Sequence, residues 1–253
     1  MLFRSTLLST RPYVRAAALV ARVAQLDGRL GAVARAEASA VTVAPLEAVS
    51  TRHGRVPARV YEPRTQPTRT VVLIPGIHSL GIDEPRLTSL ASELAGSGLR
   101  VVAVALPDLT RYVITVDATD VVEDTIAWAS THAGWSTDGR VGVIGVSFAG
   151  GLALVAASRP ATADHVAFVL SFGGHGDLPR VLRYLATGTA PNVGTLRAPP
   201  PHDYGLAVLA YGLAADGLVP QAQASTLQDG IRTFLLASQL TDLKSTRLNS
   251  SHT

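Results

Sequence analysis

A serine at position 147 stands in the segment GVSFAG, residues 145–150, between an apolar stretch and an alanine-rich stretch. The residues two positions before and after the serine are small, as a sharp strand-to-helix turn requires. Such a turn exposes the hydroxyl and points the N-terminus of the following helix at developing negative charge. The pattern therefore predicts that Ser147 is a nucleophile. The alternative is a buried serine in a turn rich in glycine and alanine.

A second segment, PGIHSLG at residues 75–81, directly follows the apolar run TVVLI. An oxyanion formed at a serine nucleophile needs two backbone N–H donors, one from the residue after the serine and one from the loop after an upstream strand. The sequence predicts Phe148 and Ile77 as these donors, with Gly76 allowing close approach. His78 is predicted to face the pocket and contact substrate, and a hydrogen-bonded structural role is the alternative.

A serine hydroxyl is a poor nucleophile at neutral pH without a base, and the usual chain order is serine, then acid, then histidine. Asp216 is a weak candidate for the acid, because the segment before it predicts a helix and not a strand. His175 and His202 precede any acid of this kind and are predicted to line a cap or pocket. His252 lies in a suspected non-native tail. We expect the acid and base to lie beyond residue 243, and this chain to be nearly inactive.

Other kinds of chemistry find little support in the sequence. The chain has no cysteine and no closely spaced histidine pair, so we expect neither thiol chemistry nor a metal site. The segment GGHG at residues 173–176 suggests a phosphate-binding loop, but the lysine and the serine or threonine of a P-loop are missing. We therefore expect no bound nucleotide and no other cofactor.

The segments around these residues alternate between strand and helix patterns. Apolar or alternating runs predict a hairpin and four core strands, at residues 46–51 with 57–61, and at 70–74, 100–106, 141–145 and 165–171. Helices are predicted between them, one capped by Asp83 and one opened by a capping box of Asp120 and Glu123. Such alternation predicts an α/β fold, with a mostly parallel sheet and helices on both faces.

Composition and pattern divide the chain into four predicted parts, namely an N-terminal helical segment (1–45), an α/β core (46–172), a partial helical cap (173–243) and a suspected non-native tail (244–253). The tail contains Lys244, the one lysine among 22 Lys and Arg residues, and it resembles a translated sequencing adapter. Without Lys244 and Arg247 the formal charge of +3 falls to +1. We therefore expect no nucleic-acid partner. We also expect the natural reading frame to be lost at about Leu243, which leaves the fold incomplete at the C-terminus.

The N-terminal segment places four arginines on one side of a predicted helix, at positions 11, 15, 22 and 29. One interpretation is a helix that lies on a membrane surface. The favoured alternative is a packing helix with a solvated basic edge. Neither a secretory signal nor a membrane span is predicted, so we expect a cytoplasmic protein. The sequence does not predict its oligomeric state.

Four segments, PGIHSLGIDEPR, PDLTRY, GVSFAGG and SFGGHGDLPR, resemble a group of bacterial α/β-hydrolases on the dienelactone-hydrolase and esterase side of that superfamily. The resemblance covers roughly residues 46–171. The turn that carries the serine, residues 145–150, corresponds to the nucleophile elbow of these proteins, and it departs from the commonest form at Ala149, where glycine is usual. It implies a C-terminally truncated α/β-hydrolase fold, with acid and histidine further downstream. It also implies a serine hydrolase that acts on a small-molecule ester or related acyl substrate through an acyl-Ser147 intermediate. The alternative is a non-catalytic member that binds a small ligand or a partner.

Overall fold

A computed structural model of the protein describes residues 2–44, 47–189, 200–201, 203–215 and 219–250. The strands are β1 (Val41–Val43), β2 (Glu47–Thr51), β3 (Gly54–Pro63), β4 (Arg69–Ile74), β5 (Leu99–Val104), β6 (Val141–Val146) and β7 (Val166–Phe172). The helices are α1 (Leu2–Val23), α2 (Gly28–Ala36), α3 (Pro85–Gly96), α4 (Pro107–Thr110), α5 (Asp117–Thr131), α6 (Ala149–Ser158), α7 (Leu178–Thr187), α8 (Asp203–Ala215) and α9 (Gln221–Ser250). Two short 3₁₀ turns lie at Gly81–Asp83 and Ala163–His165.

The seven strands form one mixed sheet in the order β1-β3-β5-β4-β6-β7, with β2 also paired to β3. The three pairings within β5-β4-β6-β7 are parallel, whereas β3 pairs antiparallel with β1, β2 and β5. The predicted α/β fold is confirmed. Its parallel part consists of β5, β4, β6 and β7, and the carboxyl ends of β4 and β6 lead into the predicted site.

Helices cover both faces of the parallel strands β5, β4 and β6, whereas Phe168, Leu170 and Phe172 of the edge strand β7 are exposed. On one face, Ile126 of α5 and Leu152 of α6 pack against a cluster that includes Val72. On the other face, Leu94 of α3 packs with Leu73, which neighbours Val72 along β4. Successive side chains of a strand point to opposite faces, so a strand buried on both sides must be apolar at every position. The run TVVLI satisfies this requirement.

The N-terminal cap of α3 differs from the sequence prediction. The structure makes Glu84 the cap, and its carboxylate accepts a hydrogen bond from the backbone N–H of Leu87 at 2.8 Å. Because Pro85 occupies the first helical position, the residue directly before it must be the cap. The predicted cap at Asp83 is therefore wrong. Asp83 instead pairs with Arg59 at 2.7 Å.

The predicted capping box of Asp120 and Glu123 is also wrong. Helix α5 begins at Asp117, so both carboxylates lie inside the helix. The guanidinium of Arg159 donates to Asp120 at 2.5 Å and to Glu123 at 2.7 Å, and Arg52 donates to Glu123 at 2.9 Å. Ion pairs with distant parts of the chain therefore account for the acidic pattern that resembles a helix start.

One arginine of the predicted basic edge lies in a packing interface. Arg22 of α1 is buried, and its guanidinium donates to Glu93 at 2.5 Å, to the Ala34 carbonyl at 2.8 Å and to Ser97 at 2.8 Å. It thereby joins α1 to α2 and α3. Within the described residues, no helix is both long and apolar enough to cross a membrane. Contact of α1 with a membrane surface stays a prediction.

The region predicted as a cap consists of the helices α7, α8 and α9. A small buried cluster joins Val208 of α8 and Leu235 of α9 to Tyr112, which follows α4. Helix α9 continues across residue 243 to Ser250. The division of the chain into four parts, and the non-native character of the tail, stay predictions.

Candidate active site

Ser147 lies at the turn between β6 and α6, with a backbone φ of +54°. Few non-glycine residues adopt this left-handed conformation, because it costs free energy that the surrounding structure must offset. The Ser147 N–H donates to the Phe172 carbonyl of β7 at 2.8 Å, and its carbonyl accepts from the Gly150 N–H at 2.9 Å. These bonds hold the turn on both sides, and the serine itself is exposed.

The space around the turn admits only small residues. A Cβ on Gly145 would lie 2.4 Å from the Ala149 carbonyl oxygen, so any side chain at position 145 would push β6 and α6 apart. A Cβ on Gly76 would lie 3.0 Å from the Cβ of Ser147. Ala149 itself is fully buried. The small residues noted in the sequence therefore let the loop of residues 75–81 lie directly against the serine.

The two predicted oxyanion donors have backbone N–H groups that are available within the part of the chain that the structure describes. Neither Ile77 nor Phe148 donates its backbone N–H to any residue that the structure describes. Phe148 directly follows Ser147, and Ile77 directly follows Gly76, which lies against the serine. Both N–H groups can therefore stabilise negative charge that develops at this place.

His78 is buried beside the same loop. Its Nδ1 accepts a hydrogen bond from the Leu80 backbone N–H at 3.1 Å, and its carbonyl accepts one from Gly81. Burial lowers the pKa of His78, against the opposing charge of Glu84, so the ring is neutral at neutral pH. The geometry gives His78 a turn-stabilising contact. A contact with substrate stays a prediction.

Tyr204 of α8 also reaches this loop, and sequence reasoning missed it. Its hydroxyl donates to the Ile77 carbonyl at 2.9 Å. The side chain of Ile77 packs against the cluster of Tyr112, Val208 and Leu235. The helical region therefore contacts the residue whose N–H is one of the two predicted oxyanion donors, through the carbonyl of that same residue. The only sequence signal for Tyr204 was its place in a segment predicted to form a cap.

The family model for X-Pro dipeptidyl-peptidases of the S15 family matches residues 108–177. This stretch holds the strand, turn and helix around Ser147, and that family has an α/β-hydrolase architecture. The sheet order and the strained serine turn agree with it. The chain has the α/β-hydrolase fold. The match covers a little over a quarter of the sequence, so it does not carry the whole protein's activity.

Solved α/β-hydrolases are similar to the chain at low identity. A dienelactone hydrolase from Anabaena variabilis is 24% identical over 54% of this chain and 66% of its own, with a TM-score of 0.45. An esterase from Pyrobaculum calidifontis is 22% identical over 59% and 46%, with a TM-score of 0.39. A bacterial brefeldin A esterase is 19% identical over 64% and 48%, with a TM-score of 0.46. The chain thus spans about half to two thirds of their lengths, and no curated protein matches it.

The residues that the structure describes bring Ser147 and both predicted donors together without a base. No described residue hydrogen-bonds to the Ser147 hydroxyl. Asp216, His202 and His252 lie outside the described residues. His175 lies against the elbow, with its ring 5.0 Å from that of Phe148. The acid and the base that would act with Ser147 therefore stay a prediction.

One surface cluster has the composition of a metal site. Ligand atoms of His53, Asp117 and Asp120 lie within 4.8 Å of one another. However, Nε2 of His53 already lies 3.0 Å from the Asp120 carboxylate, and Nδ1 lies 3.6 Å from that of Asp117. Arg159 donates to Asp120 as well. Since Arg159 and His53 already occupy the Asp120 carboxylate, we assign no metal ion to this cluster.

An open, mostly apolar groove of about 640 Å³ lies between α8 and α9. Ala207 and Ile231 line it, and both also belong to the cluster that packs on Ile77. Phe234 and Leu227 extend the groove toward solvent. The groove is therefore connected through shared side chains to the loop that carries one predicted oxyanion donor.

Proposed function

We propose that the protein is a serine hydrolase that acts on an ester or a related acyl substrate. The observation that carries the proposal is the exposed, strained Ser147, beside which two backbone N–H groups have no partner among the described residues. A serine that served only to fill a turn would not need a left-handed backbone, which costs on the order of 1–3 kcal/mol. Strain of this kind concentrates at functional sites.

The proposed reaction has two stages. Oγ of Ser147 attacks the carbonyl carbon of the substrate, and its proton passes to a base outside the described residues. The former carbonyl oxygen becomes an oxyanion held by the N–H groups of Ile77 and Phe148. The C–O bond to the alcohol then breaks, and the alcohol leaves with the proton. Water hydrolyses the acyl-Ser147 by the same steps and releases the acid. Without a supplied base, we expect weak turnover.

A second candidate is a non-catalytic α/β-hydrolase that binds a small ligand or a partner. It is favoured by the Ser147 hydroxyl, which has no hydrogen-bonded base among the residues described. On this proposal the groove between α8 and α9 would hold the ligand. The two candidates differ in whether Ser147 reacts.

Covalent labelling with a fluorophosphonate probe tests the proposed function. The chain should be labelled at Ser147 slowly but detectably, as shown by peptide mass, because the oxyanion donors can act without a supplied base. Ser147→Ala should abolish this labelling. Ser158→Ala is the matched control, since Ser158 ends the same helix and its hydroxyl only bonds the Val155 carbonyl at 2.9 Å. Labelling absent from the intact chain would leave the ligand-binding candidate. An X-Pro anilide assayed beside a short-chain ester then tests which acyl class is preferred.

A further inference from the structure

The loop at residues 173–176 packs directly on the first turn of α6. A Cβ on Gly150 would lie 2.7 Å from the Cα of Gly174. A Cβ on Gly151 would lie 2.5 Å from the ring carbon Cε1 of His175. Glycines on both sides therefore allow the loop backbone and the His175 ring to touch the helix that carries the elbow. This contact explains why glycine stands at both positions of α6.

The His175 ring also lies against the side chain that follows the proposed nucleophile. The ring centroids of His175 and Phe148 are 5.0 Å apart, and their planes meet at 52°. Nε2 of His175 is buried and has no hydrogen-bond partner among the residues described. A buried polar atom without a partner costs free energy, so a purely structural role would be better filled by an apolar ring.

We infer that His175 is a positioning residue, whose neutral ring holds Phe148 so that its backbone N–H can bind the oxyanion; this rests on the proposed serine hydrolase. The ring fills the space between Phe148 and Gly151. Phe148 is joined by one peptide bond to Ser147, so a shift of its side chain moves the N–H that should meet the substrate oxygen. Displacement of a catalytic group by about 1 Å can reduce a rate by about 100-fold.

The surroundings of His175 favour a neutral ring. Burial lowers the pKa of His175, and the nearby carboxylate of Asp177 acts in the opposite direction. Helix α6, Ala149–Ser158, carries no ionisable side chain. Its N-terminal end bears partial positive charge, which disfavours a cation next to it. Because a charged imidazole needs hydration, acidification should draw the ring away from Phe148 and misplace the donor.

Two measurements on the intact chain test this inference. The first follows the ¹⁵N–¹H signal of Phe148 and the ring signals of His175 from neutral to acidic pH. We expect the Phe148 amide to shift with the His175 titration, and this shift to vanish in His175→Phe. The second follows the pH dependence of fluorophosphonate labelling. The acid limb of the wild-type profile should move in His175→Phe, which keeps a ring in place but cannot titrate.

Two further variants separate position from charge. His175→Ala and Gly151→Ala should each slow labelling at neutral pH by about tenfold or more, because one removes the ring and the other displaces it. Gly176→Ala is the matched control on the same loop, since nothing lies within 4 Å of its Cβ position. The inference would be overturned if the Phe148 amide signal did not shift as His175 titrates, or if the pH profiles of labelling for wild type and His175→Phe were the same. Absence of labelling at every pH, with the amide still responding, would instead count against the serine hydrolase.

Discussion

The sheet around the elbow and the helices α7, α8 and α9 differ in how they are held together. Leu73 and Ile74 of β4 are fully buried, and glycine contacts bring the loops and α6 against Ser147. In the helical region, Val208 and Leu235 are buried, while large apolar side chains such as Phe234 stay nearly half exposed. The elbow therefore lies on the densely packed strands β4, β5 and β6, although the edge strand β7 also exposes Phe172. The helices rest on this unit through a small cluster.

This contrast suggests that two properties of the proposed enzyme, the geometry at Ser147 and the entry of a ligand, depend on different regions. Close packing admits few arrangements, so the geometry of Ser147, Ile77 and Phe148 should be fixed by the sheet and its helices. Regions with few buried contacts open at lower free energy and are suited to ligand entry. We expect substitutions in the sheet to alter stability and reactivity together. Substitutions in α8 and α9 should alter what reaches the serine.

A matched pair of leucines gives the largest expected difference between the two regions. Leu73→Ala, in β4, should lower the free energy of unfolding of the core by about 2–5 kcal/mol, because it leaves a cavity in a close-packed site. Leu235→Ala, in α9, removes an equally buried side chain but should change the core transition by less than about 1 kcal/mol, since its partners lie in the small cluster.

Urea unfolding read by two probes measures this difference. Both tryptophans, Trp128 and Trp135, pack against the core, so their fluorescence reports the core alone, whereas far-UV circular dichroism reports all helices. Leu235→Ala should therefore shift the dichroism transition more than the fluorescence transition. Leu73→Ile, which conserves volume, should cost less than about 1.5 kcal/mol. Equal shifts of the fluorescence midpoint in the two alanine variants would contradict the division.

Gly145→Ala should damage both stability and reactivity. The new Cβ would meet the Ala149 carbonyl oxygen at 2.4 Å and the Gly150 Cα at 2.7 Å, both of which are backbone. Relief requires β6 and α6 to separate, at a cost of about 1–3 kcal/mol, and this moves Phe148 away from its place. Labelling of Ser147 should fall by about 100-fold at a pH and temperature where the variant is still folded.

The control for Gly145→Ala lies in the other region. Gly212 of α8 has nothing within 4 Å of its Cβ position, so Gly212→Ala should be neutral or stabilise the helix by about 1 kcal/mol. It should leave labelling unchanged. If Gly145→Ala kept the wild-type labelling rate, the steric argument for small residues at the elbow would be refuted.

Local patterns predicted the sheet well, because its central strands are buried on both faces and so are apolar without interruption. The segment at residues 70–74 is of this kind, and the structure places it in β4. The predicted helix starts were wrong where a side chain binds a distant residue instead of the nearby backbone. Asp120 and Glu123 have the spacing of a capping box, but they bind Arg159 and Arg52, which only the folded chain brings near.

The residues of the candidate site likewise divide into those that a local pattern predicts and those that depend on distant contacts. Ser147, Ile77 and Phe148 could be proposed from sequence because one turn and one loop carry them. The contact of Tyr204 with Ile77 spans 127 positions, and no local pattern encodes it. His175 was predicted only as a cap or pocket residue, because its packing depends on Gly150 and Gly151 of another element. Contacts made by tertiary structure alone are therefore what the sequence could not supply.

Tyr204→Phe tests how strongly the helical region bears on the elbow. The change removes the hydrogen bond to the Ile77 carbonyl and keeps the ring. It should weaken the attachment of α8 to the loop by about 1 kcal/mol and leave the unfolding transition of the core nearly unchanged. Labelling of Ser147 should slow by about fivefold, as the Ile77 peptide gains freedom. Tyr211→Phe, in the same helix, is the control. If Tyr204→Phe lowered the fluorescence midpoint as Leu73→Ala does, α8 would be part of the core.

The smallest expected effect concerns acid stability at the periphery of the core. Hydrogen bonds from Arg159 and His53 hold the pKa of Asp120 below its usual range. A carboxyl whose pKa is lowered by folding stabilises the fold above its unfolded pKa of about 3.9, and this contribution is lost as the pH falls through the folded value. Asp120→Asn should therefore lower the core's unfolding free energy by about 0.5 kcal/mol near pH 6, since the pair is partly exposed and screened.

The difference between wild type and Asp120→Asn near pH 6 should close at an acidic pH below the folded pKa of Asp120, where the wild-type carboxyl is protonated too. Urea unfolding read by tryptophan fluorescence at both pH values measures it. Asp229→Asn removes a carboxylate paired with Arg232 in α9, and it should leave the core transition unchanged at either pH. A difference for Asp120→Asn that persisted undiminished at the acidic pH would mean that its amide disturbs packing. The ion pairs that join α5 to α6 would then contribute nothing measurable, and burial alone would distinguish the core from the helices.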